Sequence, residues 1–246
     1  MARVYYDLHL HSCLSPCGSD DMTPYNLVNM AALLGYGVIA LTDHNTCLNT
    51  AAAVSAGEKA GITVVPGMEL TTEEEAHVVC LFPTVEDAMG FHARVDQKRV
   101  HIPNQKEIFG NQLVMDGEDR ILGEEPDLLI NATAIGVNEV LGLAQEFCGT
   151  AFPAHVDKNA YSVIASLGAI PPEAGFTAAE ISRSGKLHQL LRTNPELSSM
   201  LLLQNSDAHY LENMPDPSAW LDLPECSAAC LVEAINQKVK VTGAWR

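Results

Sequence analysis

Short apolar runs that each stop at a histidine or a carboxylate recur along this chain, and that recurrence limits the folds it can adopt. The first run is Val4-Tyr5-Tyr6-Asp7-Leu8, which ends by presenting His9 and His11. In an extended chain, residues two apart project to the same side, so both imidazoles point one way. Two neutral imidazoles at a strand end are a start for a divalent metal site. Taken alone, the pair is equally compatible with ordinary surface or core histidines. Its weight comes from the repetition of the pattern toward the C-terminus.

After His11, the loop Ser12–Met22 is rich in Ser, Pro, Gly, Cys and Asp. Thr23-Pro24 then opens a helix as cap residue and first-turn proline, with Leu27, Val28, Met30, Ala31 and Leu34 as its apolar stripe. Gly37–Leu41 reads as a buried strand ending in Thr42-Asp43-His44. Asn49–Ala60 reads as an Ala-rich helix, and Ile62–Pro66 as a strand ending in Gly67-Met68-Glu69. A further strand, Ala76–Phe82, opens with His77. Near-continuous apolar strands alternating with helices predict an α/β fold on a parallel sheet. Polar residues at strand ends are where such sheets build their sites.

The rhythm then breaks. Glu86–Lys98 reads as a helix, and Phe109–Val114 with Arg120–Leu122 as a hairpin around Asp116-Gly117. Residues 84–135 are therefore expected to be an insertion capping the site. They would divide a barrel domain into 1–83 and 136–246. Regularity returns with helix Val137–Phe147, strand Thr150–Ala154 ending at His155, and strand Ala178–Ile181 followed by Arg183. Strand Met200–Gln204 then leads to Ser206-Asp207-Ala208-His209, and a last strand near Val239–Thr242 is expected to close the barrel. The Pro-rich stretch Met214–Leu223, with Trp220, reads as an exposed contact.

Composition sets outer bounds. At 246 residues and 47% hydrophobic, the chain can bury a substantial core. It has no apolar run of about 18 residues and no leader-like N-terminus, so no membrane span and a cytoplasmic location are expected. Seven scattered cysteines without CxxC spacing read as idle thiols rather than a disulfide framework. A formal net charge of −17 repels phosphate backbones at long range, so stable duplex nucleic-acid binding is not expected. Bound cations would still admit a phosphorylated substrate.

Collected in order, the strand-end residues are His9, His11, Asp43, His44, Glu69, His77, His155, Asp207 and His209. They include six of the nine histidines. Each has a bland reading, as helix cap, surface carboxylate or packed imidazole. Gathering so many ionisable groups in one cavity is costly unless metal ions neutralise them. The set exceeds the four ligands of a structural zinc site, so two or three divalent ions are expected. Manganese, zinc and iron all suit imidazole and carboxylate donors.

The motifs His9-Leu10-His11-Ser12, Thr42-Asp43-His44, Gly67-Met68-Glu69, His77, Pro153-Ala154-His155 and Ser206-Asp207-Ala208-His209 resemble, in order, those of the PHP (polymerase and histidinol phosphatase) family. The resemblance implies a distorted (βα)7 TIM-like barrel with a di- or trinuclear metal centre. It places one metal on His9, His11, Glu69 and Asp207. A second would sit on Glu69, His77 and His155, and a third on His44 and His209, with Asp43 behind them orienting a ligand. Where several members carry a histidine, this chain has Cys17; that thiolate, or Asp20, would complete the third site.

The expected activity is that of a metal-dependent phosphoesterase hydrolysing a small phosphorylated metabolite or nucleotide (a phosphomonoester or 3′,5′-bisphosphate) with a metal-bridging hydroxide. Lys158, Arg183 and Arg120 are the candidate phosphate-binding cations. Asp207, His209 and Asp43 form the candidate catalytic group, with the general acid left open among Asp207, His209 and a metal-bound water. The alternatives are an exonuclease acting on short oligonucleotide ends, an amidohydrolase-like enzyme, and a non-catalytic metal-binding protein.

Overall fold

The structure is a computed structural model that describes residues 2–237 and 242–244. In chain order the elements are β1 (Ala2–Leu10), α1 (Pro24–Leu34), β2 (Val38–Leu41), α2 (Thr50–Ala60), β3 (Thr63–Thr71), β4 (His77–Leu81), α3 (Val85–Asp96), α4 (Lys106–Phe109), β5 (Leu113–Met115) and β6 (Ile121–Glu124). They continue as α5 (Val137–Glu146), β7 (Thr150–Pro153), α6 (Val163–Leu167), β8 (Ala178–Ser182), α7 (Leu187–Thr193), β9 (Leu201–Asn205), β10 (Trp220–Leu223), α8 (Ala228–Ile235) and β11 (Thr242–Ala244).

Local rules account for the element ends. The Thr23 hydroxyl accepts the Asn26 amide and Pro24 sits in the first turn of α1. The helix stops at Gly35, whose φ of 94° lies in the left-handed region open to glycine. Gly67 is needed for a different reason: a Cβ there would lie 2.8 Å from the Cys80 carbonyl and 2.9 Å from Thr42.

Seven strands form one curled sheet in the order β11-β10-β1-β2-β3-β4-β7, flanked by the separate pairs β5-β6 and β8-β9. The expected parallel sheet is realised only at β1-β2-β3 and at β8-β9. The β3-β4, β4-β7, β1-β10 and β10-β11 ladders are antiparallel. The cause is connection length. β3 does not end at Pro66 but runs through Glu69 to Thr71, and the short turn to His77 leaves no room for a crossover helix, so β4 must return antiparallel. The fold is thus mixed α/β with a curled half-barrel sheet. The β8-β9 pair lies between β7 and β1: the Val156 amide donates to the Glu180 carbonyl at 2.9 Å, and the Asp207 amide to the His9 carbonyl at 3.0 Å.

Two expectations near the C-terminus are corrected. Trp220 lies on β10, paired with Tyr5 of β1 and capped by the Arg3 guanidinium 3.7 Å from its ring, while Leu221 and Leu223 are buried. The preceding prolines obscured the alternation Trp-Leu-Asp-Leu that marks a half-buried strand. Val239–Val241 lie outside the described residues. Thr242 begins β11, which pairs with β10 at the sheet edge and extends the sheet rather than closing it.

One face of the sheet packs Tyr6, Leu8, Ala40, Val65, Val79 and Phe152 together, and α1 and α2 cover the other through Leu27, Val28, Ala53 and Ala56. Within residues 84–135, α3 buries Ala88, Phe91 and Val95 in the main core beside Phe82. The remainder is tied to the loops above the sheet. Asn49 Nδ2 donates to the Leu113 carbonyl at 3.0 Å, and Asn45 Nδ2 to the Leu129 and Asn131 carbonyls at 2.7 and 2.8 Å. Among the described residues, no helix is long and apolar enough to cross a membrane.

Candidate metal centre

The side chains from the apolar runs meet around one buried carboxylate. Glu69, held within β3, has Oε1 3.1 Å from His9 Nε2, 2.8 Å from His77 Nδ1 and 3.3 Å from His155 Nε2. Its Oε2 lies 3.3 Å from His11 Nε2 and 3.0 Å from His44 Nδ1. Asp207 Oδ1 lies 3.4 and 3.3 Å from the Nε2 atoms of His9 and His11, and the His209 ring stacks on His11 with centroids 4.0 Å apart.

Buried polar atoms are normally hydrogen-bonded, yet His9 Nε2, His11 Nε2, His44 Nδ1, Glu69 Oε2 and Asp207 Oδ1 have no hydrogen-bond partner. Five such orphans facing one another are what a set of cation ligands looks like. Their donor atoms fall into groups whose members lie within 4.8 Å of one another: His9 with His11, Glu69 and Asp207; His11 with His44 and His209; and His44 with Glu69 and His77. The first group is the expected quartet. The others differ from expectation: His11 joins His44 and His209, and His44 rather than His155 accompanies His77.

A ring of hydrogen bonds orients these groups. The Ser15 hydroxyl donates to Asp43 Oδ1 at 2.7 Å, so its oxygen is free to accept Nδ1–H of His11 at 3.0 Å, which turns Nε2 toward the centre. Asp43 also accepts the Ser12 amide and hydroxyl, each at 2.7 Å. Its carboxylate is taken up by these serines. Asp43 is thus linked to His11 through Ser15 and does not face the cavity. On the opposite side, Glu180 Oε2 accepts from His9 Nδ1 at 2.8 Å and Asn205 Nδ2 at 2.9 Å, and Oε1 accepts the His155 amide at 3.1 Å. Glu180 was not among the sequence candidates. Its signal was a lone carboxylate inside Ala-Ala-Glu-Ile, which a half-exposed strand would also carry.

The electrostatics follow from burial set against this mutual pairing. Burial works to raise Glu69, but the imidazoles of His77, His9 and His44 outweigh it and hold the carboxyl well below its usual range. Asp207 is likewise held low, by His9 and His11 against its burial. Burial would lower His11, yet Asp207 and Glu69 raise it to about 9. Burial dominates at His44 and His209, which fall to about 4 and about 3.

A cavity of about 490 Å³ opens onto the cluster, walled by Lys158, Tyr161 and Ile130. Lys158 Nζ bonds Asp207 Oδ2 at 2.6 Å; its burial is outweighed by Asp207, so its ammonium is raised. The other two candidate cations lie elsewhere. Arg183 donates to the Asp216 carbonyl at 3.1 Å, and the exposed Arg120 is paired with Asp116 on its own hairpin at 2.7 Å. Cys17 lines the cavity but is exposed and joins none of the ligand groups. Asp20 is exposed and holds the Asn111 amide at 2.8 Å, so it does not reach the cluster.

Residues 7–207 match the model of the PHP domain. A 5′-3′ exoribonuclease of Haemophilus influenzae is 37% identical over 79 residues, which is 31% of this chain and 28% of the relative. The lesion-specific endonuclease PfuEndoQ of Pyrococcus furiosus shares the fold with a TM-score of 0.68 and 17% identity, covering 98% of this chain and 57% of that one. Endonuclease Q in complex with a 27-mer duplex carrying an abasic lesion superposes with a TM-score of 0.65 at 17% identity, over 98% of this chain and 58% of that one. The chain thus spans little more than half of these endonucleases and aligns with about a quarter of the exoribonuclease.

Proposed function

This chain belongs to the PHP family, a family of metal-dependent hydrolases, and from that premise we propose that it cleaves phosphodiester bonds at nucleic-acid strand ends. The expectation of a small phosphorylated substrate without stable duplex nucleic-acid binding is corrected by the relatives, which favour the alternative of an exonuclease. Endonuclease Q was solved on a duplex, and the sequence relatives carry the name exoribonuclease. The expectation leaned on a net charge of −17, which is a sum over the whole chain. The field where a phosphate binds is set locally by cations in the site.

The observation that carries the proposal is the convergence of unpartnered imidazole nitrogens and carboxylate oxygens on Glu69. In this reading His9, His11, Glu69 and Asp207 hold one divalent ion, and His44, His77, His155 and His209 complete the centre with shared ligands. Bound there, such ions would supply Lewis acidity at the phosphoryl oxygens and lower the pKa of water. The protein's own part is orientation. Glu180 and the Ser15–Asp43 pair fix the tautomers of His9 and His11. Lys158, held by Asp207 at the cavity wall, meets the incoming phosphate. Ile130, anchored through its neighbours to Asn45, adds an apolar contact at the cavity wall.

The test is metal content together with cleavage of end-labelled RNA and DNA oligonucleotides, with and without chelator. At least two ions per chain and stepwise, chelator-sensitive shortening are expected. Metal-loaded protein that leaves every oligonucleotide intact would sink the proposal.

A further inference from the structure

The loop after β7 carries a feature that the metal centre does not use. Tyr161 lies with its ring nearly parallel to that of His77, at a centroid distance of 5.0 Å and an interplanar angle of 19°. One face of the ring is thus covered by an imidazole of the cluster. The side chain is still 57% exposed and lines the cavity, so the other face is open to whatever enters. A large aromatic ring half in water at the mouth of a site leaves contact area unfilled.

The ring is also held in place. Tyr161 has a φ of 54°, which is unusual for a bulky residue and persists only where surrounding contacts enforce it. Its carbonyl accepts the His77 amide at 2.9 Å. Next to it, the Ser162 hydroxyl closes the loop onto the Lys158 carbonyl at 2.7 Å. The same short loop therefore presents a cation and a flat apolar face, with Lys158 beside Asp207 and Tyr161 on His77.

We infer that Tyr161 is a stacking platform for the base of the nucleotide whose phosphate is cleaved, and so a specificity-determining residue. This rests on the nucleic-acid reading above and adds to it how the strand is gripped: by a π-face any base can use, so with little sequence preference. A base on Tyr161 would bring its own phosphate toward Lys158 and the ligand cluster within one nucleotide's reach.

The experiment compares KM and kcat of the metal-loaded full chain on two oligonucleotides that differ only in whether the terminal nucleotide carries a base or is abasic. Wild type is expected to show a KM about tenfold lower for the base-bearing end, within the range set by stacking of one base on an aromatic side chain. In Tyr161→Ala this preference should collapse toward unity, and Tyr161→Phe should restore it, since the ring rather than the hydroxyl does the stacking. Bound metal and circular dichroism report on the integrity of the variants. Equal KM for the two ends in wild type, or an undiminished preference in Tyr161→Ala, would overturn the inference while leaving the nuclease reading intact. Cleavage of neither oligonucleotide by wild type would overturn both.

Discussion

The two halves of the ligand cluster are held by different physical means. Glu69 lies inside β3, paired with Val79 of β4 and bridged to His44, and His9 lies inside β1 where its register with β2 shifts between Asp7 and Leu10; both are fully buried. His155 and Asp207 lie just past the ends of β7 and β9, in left-handed backbone with φ of 30° and 56°. Non-glycine residues pay roughly 1 kcal/mol or more for that region. The strand residues thus avoid the left-handed region, whereas the loop positions persist only because other contacts enforce them. The Asp207 amide is tied to the His9 carbonyl, and the His155 amide to Glu180, which also grips His9. The rigid half therefore templates the strained half, with Glu180 and Asp7 as the joints between them.

The largest effect is expected where five imidazoles meet the rigid half. Glu69→Gln should abolish oligonucleotide cleavage and lower bound metal, measured by turnover and elemental analysis. Full metal content with normal turnover would show that the convergence on Glu69 is structural only.

A smaller effect is expected at the joint. Glu180→Gln should weaken metal binding about 10- to 100-fold, as loss of a group orienting a ligating histidine typically does. Calorimetric titration with a divalent ion measures it, and an unchanged affinity would mean that the two halves are positioned independently.

The smallest effect concerns stability. Burial raises the Asp7 carboxyl to about 6, against an ordinary value of 3.8, while it accepts the amides of His9 and Ser206. A folded-state pKa above the unfolded one means that the fold prefers the protonated form. In the metal-free protein this group therefore destabilises above about pH 6, and the penalty disappears as pH falls from 6 toward 3.8. Asp7→Asn keeps the acceptor and should stabilise the metal-free protein at pH 7 by about 1–3 kcal/mol, an advantage that shrinks below pH 6. Denaturant unfolding at pH 7 and pH 5 checks it; equal stability of the two proteins at pH 7 would show that Asp7 is not buried as a charged group.

Much of the site was legible in one dimension because strand ends are local features. His9, His11, His44, Glu69, His77, His155, Asp207 and His209 each close or border an apolar run, and a half-buried strand projects residues two apart to one side. The capping of α1 by Thr23 and the turn at Asp116 are local as well.

What the sequence determined by itself was the set of candidate donor residues, their order, and the α/β class. The tertiary structure decided which donors group together, that β3 and β4 pair antiparallel, that Glu180 stands behind His9, and that Lys158 alone of the three proposed cations reaches the cavity. The reason is separation along the chain. His9 and Glu180 are 171 residues apart, and Lys158 and Asp207 are 49 apart. No local propensity encodes such contacts; they exist only once the sheet has curled and its registers are set.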